Sequence, residues 1–523
     1  MTKELQERPE LAVGEPESRT TKSGRRRALA GLVSGILALG IGDLIAIWTG
    51  QSSSPYLAVG SAVVDAMPTG LKEFAITTFG SFDKLALFVV MAVVIAALLA
   101  VAGMVESRRR PYGTVMFYLF GAIGMAAAWT RADAGVLSPL PTLLGIVAGV
   151  LALRTLTTKE RGEAVKSSLL ARRSFVQLLG IGAAAGGIAF AAGRAFATTA
   201  RKAVSSRESV TLPEPVERER LQTGTQVDVL EPFQTPNNDF YRIDTALQVP
   251  QLSADEWSLR VHGMVDTEIT MSFAELLKLP MIERMMTLSC VSNPVGGNLV
   301  GNALWLGYPI RELLSKAGVH YDADMVLSKS SDGFTAGTPL DTLTDSDRDA
   351  ILAVGMNGEP LPMEHGFPVR MVVPGLYGFV SATKWLVDLE VTRFDRKVAY
   401  WTTRGWSARG PVKLSSRIEV PRSGGNPVQP GPVVVAGTAW SPHVGIERVE
   451  LKLDSGPWQP TELAAAPSTD TWRQWRFDWD AKPGSHRLTV RAIDTEGVVQ
   501  TSSRAAPAPD GATGLHSRTV TVG

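Results

Sequence analysis

The most informative stretch of this chain is Met356-Asn357-Gly358-Glu359-Pro360-Leu361-Pro362-Met363-Glu364-His365-Gly366-Phe367-Pro368-Val369-Arg370. We predict strands on either side of it, at 351–354 and 369–373, from short apolar runs. The glycines and prolines between these runs indicate turns and loops. Taken singly, His365 is a loop histidine and Arg370 a surface ion-pair partner, so the chemistry of the stretch depends on its surroundings.

The same pattern of short apolar runs broken by turn residues extends over residues 230–411. It predicts further strands at 257–264 and 385–391. It also predicts two short helices. One lies at 272–278, with Ser272 as N-cap and Glu275 three residues later, and the other at 307–317. These elements together predict an α+β domain.

Residues 412–523 change in character and predict a β-sandwich of the immunoglobulin type. Turn residues separate strands that we predict at 433–440, 448–454, 472–480, 486–494 and 518–522. Five tryptophans fall in this region, and we interpret most of them as core residues rather than as an interface. They are Trp440, Trp458, Trp472, Trp475 and Trp479.

Cys290 is the single cysteine of the chain and lies in Thr287-Leu288-Ser289-Cys290-Val291-Ser292-Asn293, before Gly296-Gly297. One cysteine excludes an internal disulfide, cysteine-based zinc fingers and iron–sulfur clusters. A lone cysteine is ordinarily a small buried hydrophobe. A thiolate between a strand and a loop is also a good ligand for a soft transition metal. The spacing alone leaves both interpretations open.

Several segments together resemble the sulfite-oxidase family of molybdopterin enzymes, in the family's order and near its spacing. They are Phe240-Tyr241-Arg242, the residues from Leu288 to Asn293, Ser331-Asp332-Gly333-Phe334-Thr335, the stretch 356–370 with Val372-Val373-Pro374-Gly375 after it, and Lys384-Trp385-Leu386. The resemblance covers about residues 230–523 and is to members of the bacterial type with an N-terminal multi-span membrane domain. It implies that the sandwich is a dimerisation domain and that the protein is a homodimer.

The resemblance implies a molybdenum–molybdopterin cofactor (Mo-MPT), with Cys290 as the protein ligand to the metal. It implies cofactor-binding roles for nine further residues. These are Asn237, Tyr241, Arg242, Ser330, His365, Arg370, Ala382, Thr383 and Lys384. Arginine and lysine suit the anionic tail of such a cofactor. Each residue has an ordinary structural explanation by itself, but the set favours the cofactor.

The implied reaction is two-electron oxygen-atom transfer, but the chain departs from the family where the substrate would bind. Pro294 and Val295 follow Asn293, where the classical enzymes carry a basic pair, and Trp406 is the nearest match to their active-site tyrosine. Arg404 remains a candidate catalytic residue that could steer an anion. We therefore disfavour sulfite and expect a larger or less charged substrate, such as a sulfoxide or another sulfur or nitrogen oxide or oxyanion.

The first 200 residues contain five apolar stretches that approach the roughly 20 residues needed to cross a bilayer. They lie at 28–48, 85–105, 113–130, 137–153 and 175–193. The apolar segment 56–82 carries Asp65, Pro68, Lys72 and Glu73, so we interpret it as an interfacial or re-entrant piece. Asp43, inside the first stretch, is either functional or a residue that reaches the interface.

Basic residues predict the orientation of these spans, because they favour the cytoplasmic side. Thirteen Lys and Arg residues flank the ends on one side, and three lie in the loops of the other. The N-terminus is therefore predicted in the cytoplasm, and five spans put residues after about 194 outside it. Ala171-Arg172-Arg173-Ser174-Phe175 resembles a twin-arginine export signal, although two arginines also simply mark the positive side. We expect the chain to be retained rather than cleaved after the fifth span.

The predicted organisation is a cytoplasmic tail (1–27), a membrane domain (28–196), a linker (197–229), the catalytic domain (230–411) and the sandwich (412–523). Lys and Arg total 52 against 51 Asp and Glu, so no nucleic-acid partner is expected. No histidine lies in an apolar run, so the membrane part cannot hold a haem with histidine ligands, and one cysteine excludes a Cys-x-x-Cys-His haem motif. We therefore expect electrons to pass to an external carrier or a quinone. The alternative is a cofactor-free, membrane-tethered binding or sensor module that kept the fold.

Overall fold

The structure is a computed structural model that describes residues 17–68, 83–107, 109–131, 134–157, 180, 198–422 and 427–523. The chain divides into two units, Met1–Thr198 and Thr199–Gly523.

The N-terminal unit is helical. Its described helices are α1 (Glu17–Thr49), α2 (Pro55–Ala66), α3 (Asp83–Val105), α4 (Tyr112–Trp129) and α5 (Leu140–Thr157). Four of them, α1 from Gly24 onward, α3, α4 and α5, are long and apolar enough to cross a membrane. The helices predicted at the first four apolar stretches are therefore confirmed. The fifth stretch, 175–193, lies outside the described residues apart from Gly180, and Arg172-Arg173 lies outside them entirely.

Glycines allow the long helices to pack closely. A Cβ added to Gly31 of α1 would lie 2.0 Å from the carbonyl oxygen of Leu99 in α3, and one on Gly103 would lie 2.0 Å from that of Arg27. On Gly145 of α5 it would lie 2.3 Å from the carbonyl oxygen of Ala38. The absence of a side chain at these glycines thus brings the helix backbones into contact, as small residues do in membrane helix pairs.

The short helix α2 occupies the start of the segment predicted as interfacial or re-entrant. Its 12 residues extend about 18 Å, well short of the roughly 30 Å of a hydrocarbon core. Ser54 caps its N-terminus by accepting from the N–H of Leu57, and the Ser54 hydroxyl donates to Asp43 Oδ1 over 2.6 Å. Residues 69–82 lie outside the described part of the chain.

The C-terminal unit begins with two sheets that fill residues 217–392. Their strands are β1 (Glu217–Arg218), β2 (Ser258–Gly263), β3 (Ile269–Ser272), β4 (Ile282–Ser289), β5 (Val300–Pro309), β6 (Met325–Ser330), β7 (Thr335–Pro339), β8 (Ile351–Met356), β9 (Glu359–Pro360), β10 (Arg370–Val372) and β11 (Leu386–Thr392). One sheet has the order β1-β4-β5-β8-β10 with β9 on β8, and the other has the order β3-β2-β11-β6-β7. The helices between them are α6 (Phe273–Leu276), α7 (Ile310–Ala317), α8 (Leu340–Thr344) and α9 (Gly378–Ser381).

Local sequence signals explain several of these elements. Helix α6 carries the predicted capping box, in which Ser272 accepts from the Glu275 N–H and Glu275 accepts from the Ser272 N–H. Helix α7 begins at Ile310 and not at residue 307 as predicted. The reason is tertiary, because Gly307 and Pro309 pair with Ala353 and Ile351 of β8 and so extend β5.

Residues 199–229 pack on this unit, although the composition predicted a tether. Arg207 donates from Nε to the carbonyl oxygen of Leu361 over 2.8 Å. Strand β1 pairs in parallel with β4, and Glu219 accepts from the N–H of Met285. The polar composition belongs to a half-exposed segment, residues 199–229, which we call the strap. Its charged side chains form hydrogen bonds with backbone groups of the two-sheet domain.

The sandwich consists of two antiparallel four-stranded sheets. Its strands are β12 (Ser415–Val420), β13 (Gly431–Trp440), β14 (Ile446–Leu453), β15 (Trp458–Pro460), β16 (Glu462–Leu463), β17 (Arg473–Ala481), β18 (Gly484–Asp494) and β19 (His516–Val522). The sheet orders are β12-β13-β17-β16 and β15-β14-β18-β19. This is the strand order of immunoglobulin domains, as the sequence predicted.

The tryptophans of the sandwich are mostly core residues, which confirms their interpretation from the sequence. Trp475 and Trp479 lie inside the sandwich core. Trp440 and Trp472 lie in a separate cluster with Phe233, Met285 and Val300, where the sandwich meets the two-sheet domain. That second cluster places the sandwich against the strands β4 and β5 that lead to and from Cys290.

Candidate active site

Cys290 lies at the first position after β4 and is 8% exposed, with a free thiol. Its N–H donates to the carbonyl oxygen of Leu299 over 2.9 Å. Burial raises the pKa of the thiol, and hydrogen bonds from the Ser292 N–H and hydroxyl partly offset this. The predicted position between strand and loop is therefore correct, and Ser292 is a thiol partner that the sequence did not reveal.

Two tyrosines lie close to this thiol. Burial raises the pKa of Tyr241, and a charged Cys290 raises it further. The same two causes, burial first, raise the pKa of Tyr377 to about 12. Both phenols therefore stay protonated and can act as donors at neutral pH. Tyr377 was missed from the sequence, where nothing separated it from an ordinary aromatic.

His365 is 3% exposed, and its Nε2 lies 2.9 Å from the carbonyl oxygen of Asn237. A carbonyl only accepts, so Nε2 carries the proton and Nδ1 is left as an acceptor. Burial, together with the nearby charges of Arg370 and Lys384, lowers the pKa of His365 to about 4, although the hydrogen bond to Asn237 acts against the shift. The imidazole is therefore neutral at physiological pH.

Arg370 is a buried cation, 5% exposed, in the first position of β10. Its Nη1 donates to the carbonyl oxygen of His365 over 3.1 Å, and its guanidinium lies 5.0 Å from the Trp305 ring centroid. Within the described part of the chain no carboxylate forms an ion pair with it. Burial lowers its pKa to about 10, so it remains charged. A buried charge without a partner is costly and indicates an anion that the protein itself does not supply.

Lys384 and Arg242 share one buried carboxylate. Lys384 Nζ lies 2.8 Å from Asp244 Oδ2, and Arg242 Nε lies 3.0 Å from the same oxygen. Burial lowers the pKa of Lys384 to about 8, although Asp244 acts against the shift. Asp244 was not predicted, because its pairing with Lys384 spans 140 positions of the chain.

Gly366 lies between Lys384 and Arg370. Its φ is +112°, and an added Cβ would lie 3.0 Å from Cβ of Lys384 and 3.1 Å from Cβ of Arg370. Gly366 therefore packs against Lys384 and Arg370 at a position that leaves little room for a side chain, and Arg242 is connected to Lys384 through Asp244. Asp244, together with Asp332, whose charge interacts with that of Lys384, offsets part of the positive charge of the three cations.

Asn237 is held by its own neighbours. Its side-chain oxygen accepts from Asn357 over 2.8 Å, and its amide donates to Glu359. Asn357 has φ +54° in the turn between β8 and β9, where Asn-Gly is the preferred pair. The Asn-Gly signal was visible in the sequence, but its role in fixing Asn237 was not.

Ser330 and Thr383 are buried beside these groups. The Ser330 hydroxyl accepts from the N–H of Asp332 over 3.4 Å. Thr383 shares a hydrogen bond of 2.7 Å with Ser328, and its carbonyl oxygen accepts from the Met371 N–H. Ala382 follows α9 directly, so residues 382–384 lead from that helix to Lys384.

Arg404 lies in an aromatic group rather than among the cations. Its guanidinium stacks 3.5 Å from the Tyr400 ring centroid, and Nη1 donates to the Tyr400 carbonyl oxygen. Trp406 contacts Trp401 and Phe379, with ring centroids 6.1 and 5.9 Å apart. Phe379 in turn is next to Gly378, where an added Cβ would lie 4.0 Å from the Ser289 carbonyl oxygen. The aromatic group therefore packs on α9, whose first residue lies near Ser289, the residue before Cys290.

An open depression of ≈ 370 Å³ lies beside the loop that follows Cys290. It is lined by Pro294, Val295, Arg504, Ala505, Ala506, Pro507 and Ala512. It shares Pro294, Val295 and Ala512 with a narrower cleft that reaches Ser289, Asn293 and Tyr377. Among the described residues that line the larger depression, Arg504 is the only charged one.

The donors of the site fit a molybdopterin-bound metal. A buried free thiol is a soft ligand, and the buried Arg370 needs an anion. Across the described ranges there is no group of three or more His, Cys, Asp or Glu residues that could hold a metal by themselves. A metal at Cys290 would therefore depend on an organic cofactor for its remaining ligands.

Comparison with known proteins identifies related chains. The family profile described as "Oxidoreductase molybdopterin binding domain" matches residues 246–401. The "Uncharacterized oxidoreductase YuiH" of Bacillus subtilis is 35% identical over 163 residues, which cover 31% of this chain and 78% of that protein. Human "Sulfite oxidase, mitochondrial" is 28% identical over 319 residues, covering 52% of this chain and 58% of its own length.

A solved structure shares the fold. The crystal structure of the sulfane dehydrogenase SoxCD from Paracoccus pantotrophus superposes with a TM-score of 0.50 at 23% identity. The alignment covers 60% of this chain and 91% of that one.

Proposed function

This chain belongs to the sulfite-oxidase family of molybdenum-dependent oxidoreductases, and from that premise we propose a membrane-anchored, extracytoplasmic enzyme of oxygen-atom transfer. The observation that supports the proposal most is that one domain contains both a buried free thiol, Cys290, and a buried arginine, Arg370, with no carboxylate partner among the described residues. The cofactor is molybdenum–molybdopterin, with Cys290 as the proposed metal ligand.

The protein's own residues have separate tasks around this cofactor. Arg370, Lys384 and Arg242 would bind its anionic groups, because charge-assisted hydrogen bonds are strongest in a buried site. His365 would accept a hydrogen bond at Nδ1, since Nε2 already donates to Asn237. Tyr241 and the segment 382–384 would complete the walls with Ser330. When bound, the molybdenum centre supplies two-electron oxygen-atom chemistry.

To bind a metal, the Cys290 thiol would have to lose its proton. Burial opposes this loss and the hydrogen bonds from Ser292 favour it. The thiol therefore keeps its proton in the absence of the metal, and a metal bound at Cys290 would hold the sulfur as the thiolate. Cys290 is in this way protected from oxidation before the cofactor binds.

The substrate we propose is a sulfur or nitrogen oxide of low charge. Pro294, Val295 and three alanines line the depression beside the Cys290 loop, with Arg504 as the single charge among the described residues there. A dianion such as sulfite would need several cations to offset its desolvation. One arginine and apolar walls suit a neutral oxide with an organic substituent or a singly charged oxyanion.

The remaining parts of the proposal follow from the first unit and from family resemblance. Helices α1, α3, α4 and α5 would anchor the enzyme in the cell membrane with its N-terminus in the cytoplasm. Electrons would pass to an external carrier or a quinone, and two copies would pair through the sandwich. A twin-arginine-type signal at Arg172-Arg173 would allow export after the cofactor is loaded.

Metal and pterin content tests the proposal directly. The full chain is purified from a molybdenum-replete host beside Cys290→Ser and Tyr321→Gln, a variant at a fully exposed position that serves as the control. We expect one molybdenum per chain in the wild type and control, because there is one cysteine, and loss of metal or of activity in Cys290→Ser. Wild-type protein with neither molybdenum nor pterin would instead support a cofactor-free binding module.

A dye-linked screen then tests the substrate. Reduced viologen with sulfoxides and N-oxides measures reduction, and ferricyanide with sulfite measures oxidation. We expect turnover of the low-charge oxides, and efficient sulfite oxidation would contradict the assignment of substrate class.

A further inference from the structure

The sandwich contacts the chain on both sides of Cys290. Before it, the Thr287 N–H donates to the Asp470 carbonyl oxygen over 2.9 Å, and the Thr287 hydroxyl accepts from the Trp472 N–H over 2.8 Å. After it, Arg417 Nη1 donates to the carbonyl oxygen of Gly297 over 2.8 Å. The strand and the loop that carry Cys290 are thus both attached to the C-terminal domain.

The loop from Cys290 to Leu299 is closed by its own hydrogen bonds. The Cys290 and Leu299 backbones are joined at its base over 2.9 Å, and Asn293 Oδ1 accepts from the Leu299 N–H over 3.0 Å. The Gly297 N–H donates to the Pro294 carbonyl oxygen over 2.9 Å, which closes the tip. A loop built this way moves as one piece, so a contact at the tip also restrains Cys290 at the base.

Arg417 is well fixed for such a contact. Its Nε donates to Glu419 Oε1 over 2.9 Å, and Glu419 also accepts from the Thr438 hydroxyl. Its guanidinium lies 5.8 Å from the ring centroids of both Trp440 and Trp472. The side chain is 13% exposed. With its orientation set by the sandwich, Nη1 reaches across to Gly297 at little further cost in side-chain entropy.

His516 contacts the same loop at Gly296, one residue before Gly297. Its Nδ1 accepts from the Ile418 N–H over 2.9 Å, which fixes the ring on β19. The ring covers Gly296, where an added Cβ would lie 2.3 Å from His516 Cδ2. Gly296 has φ +78°, so both its conformation and its space require glycine.

We propose that Arg417 and His516 are positioning residues, through which the sandwich fixes the loop that presents the Cys290 sulfur to the metal. The contacts are within one chain, so this role is separate from any part the sandwich has in pairing two copies. Its consequence for catalysis rests on the proposed function, whereas the restraint on Cys290 itself does not.

Cys290 is the single cysteine, which makes its alkylation a direct probe of the restraint. The full chain is made in a host that cannot synthesise molybdopterin, and the rate of iodoacetamide reaction is measured under native conditions. We expect Arg417→Met and His516→Ala to react about tenfold faster, because local opening exposes the buried thiol. Arg417→Lys keeps a charged donor and should fall between them and the wild type. Arg491→Met, which removes an ion pair to Glu450 elsewhere in the sandwich, should react at the wild-type rate.

The Mo(V) electron paramagnetic resonance spectrum of the loaded enzyme gives a second measurement. Metal content should be retained in Arg417→Met, but the g values should shift because the sulfur orientation changes. Arg417→Lys should restore most of the wild-type spectrum, and Arg491→Met should show no shift. Unchanged alkylation in Arg417→Met and His516→Ala would overturn the proposal, as would a wild-type spectrum in Arg417→Met. A wild type without molybdenum would defeat the proposed function, yet the alkylation result would still decide this inference.

Discussion

Arg370 combines a buried guanidinium with neighbours that are carbonyl oxygens and an indole ring. We expect Arg370→Met to leave the stability of the cofactor-free protein unchanged or raised, but to weaken binding of the cofactor. Without cofactor it should be at least as stable as the wild type, because removing a buried unpaired charge relieves its desolvation cost. Its affinity for the cofactor should fall about 100-fold, the equivalent of a charge-assisted contact of about 2–3 kcal/mol.

Thermal unfolding of cofactor-free protein and molybdenum retained after gel filtration measure the two effects. Arg491→Met is the control, since its arginine is paired with Glu450. If the cofactor-free variant were strongly destabilised while the cofactor-loaded variant kept its molybdenum, Arg370 would be a structural residue rather than a cofactor ligand.

His365 makes stability depend on pH on the acid side. Its folded pKa is about 4 against an ordinary value of 6.5, so between these values the unfolded chain binds a proton that the folded chain does not. Stability is therefore lost as the pH falls from 6.5 to 4, by up to about 3 kcal/mol from this group. His365→Gln keeps a donor but does not titrate, and should show a smaller loss in urea unfolding between pH 7 and 4.5. Parallel pH profiles for the two proteins would contradict this.

For single residues, the sequence predicted which side chains belong to the site but not the residues that they contact. Resemblance to a family selected Cys290, His365, Arg370 and Lys384, and the structure brings the last three together around Gly366. Asp244, Ser292 and Asn357 were missed. Asp244 and Asn357 act through contacts between residues more than 100 positions apart, and such pairing leaves no local pattern.

Among the elements, the loop after Cys290 shows how a strained position depends on a distant domain. Gly296→Ala should cost about 2–4 kcal/mol, from the left-handed backbone conformation and from contact with His516. In the double variant with His516→Ala the contact is removed and the backbone strain remains. The double variant should therefore cost about 1 kcal/mol less than the sum of the two single changes. Urea unfolding followed by tryptophan fluorescence measures all three, and strict additivity would show that the ring and the glycine do not interact.

Periodicity predicted elements well wherever local signals agreed with tertiary pairing. The five sandwich strands and the capped helix α6 are at their predicted places. Helix α7 starts three residues late because β5 continues through Gly307 to Pro309 to pair with β8. The strap at 199–229 was taken for a linker because its charges bind backbone groups of a neighbouring sheet, which composition alone does not reveal.

For the whole molecule, orientation depends on counting crossings. The connection between α4 and α5 contains Gly135, and the one between α3 and α4 contains Ser107, so the two lie at opposite ends of α4. The distribution of basic residues predicts that the Ser107 side faces the cytoplasm. Residues 199–523 lie outside only if the stretch 175–193 also crosses, and that stretch is not described apart from Gly180.

Labelling of introduced cysteines tests whether the chain crosses the membrane four or five times before residue 199. Wild-type Cys290 is buried and serves as the blank against Gly135→Cys, Ser107→Cys and Tyr321→Cys, the last at a fully exposed position of the C-terminal unit. A membrane-impermeant maleimide added to intact cells should label Gly135→Cys and Tyr321→Cys, and should label Ser107→Cys only after permeabilisation. Labelling of Tyr321→Cys together with Ser107→Cys would mean that 175–193 does not cross, since an even number of crossings would then separate them. The catalytic unit would then face the cytoplasm, its electron partner would be sought there, and the twin-arginine pair would be no more than a positive flank.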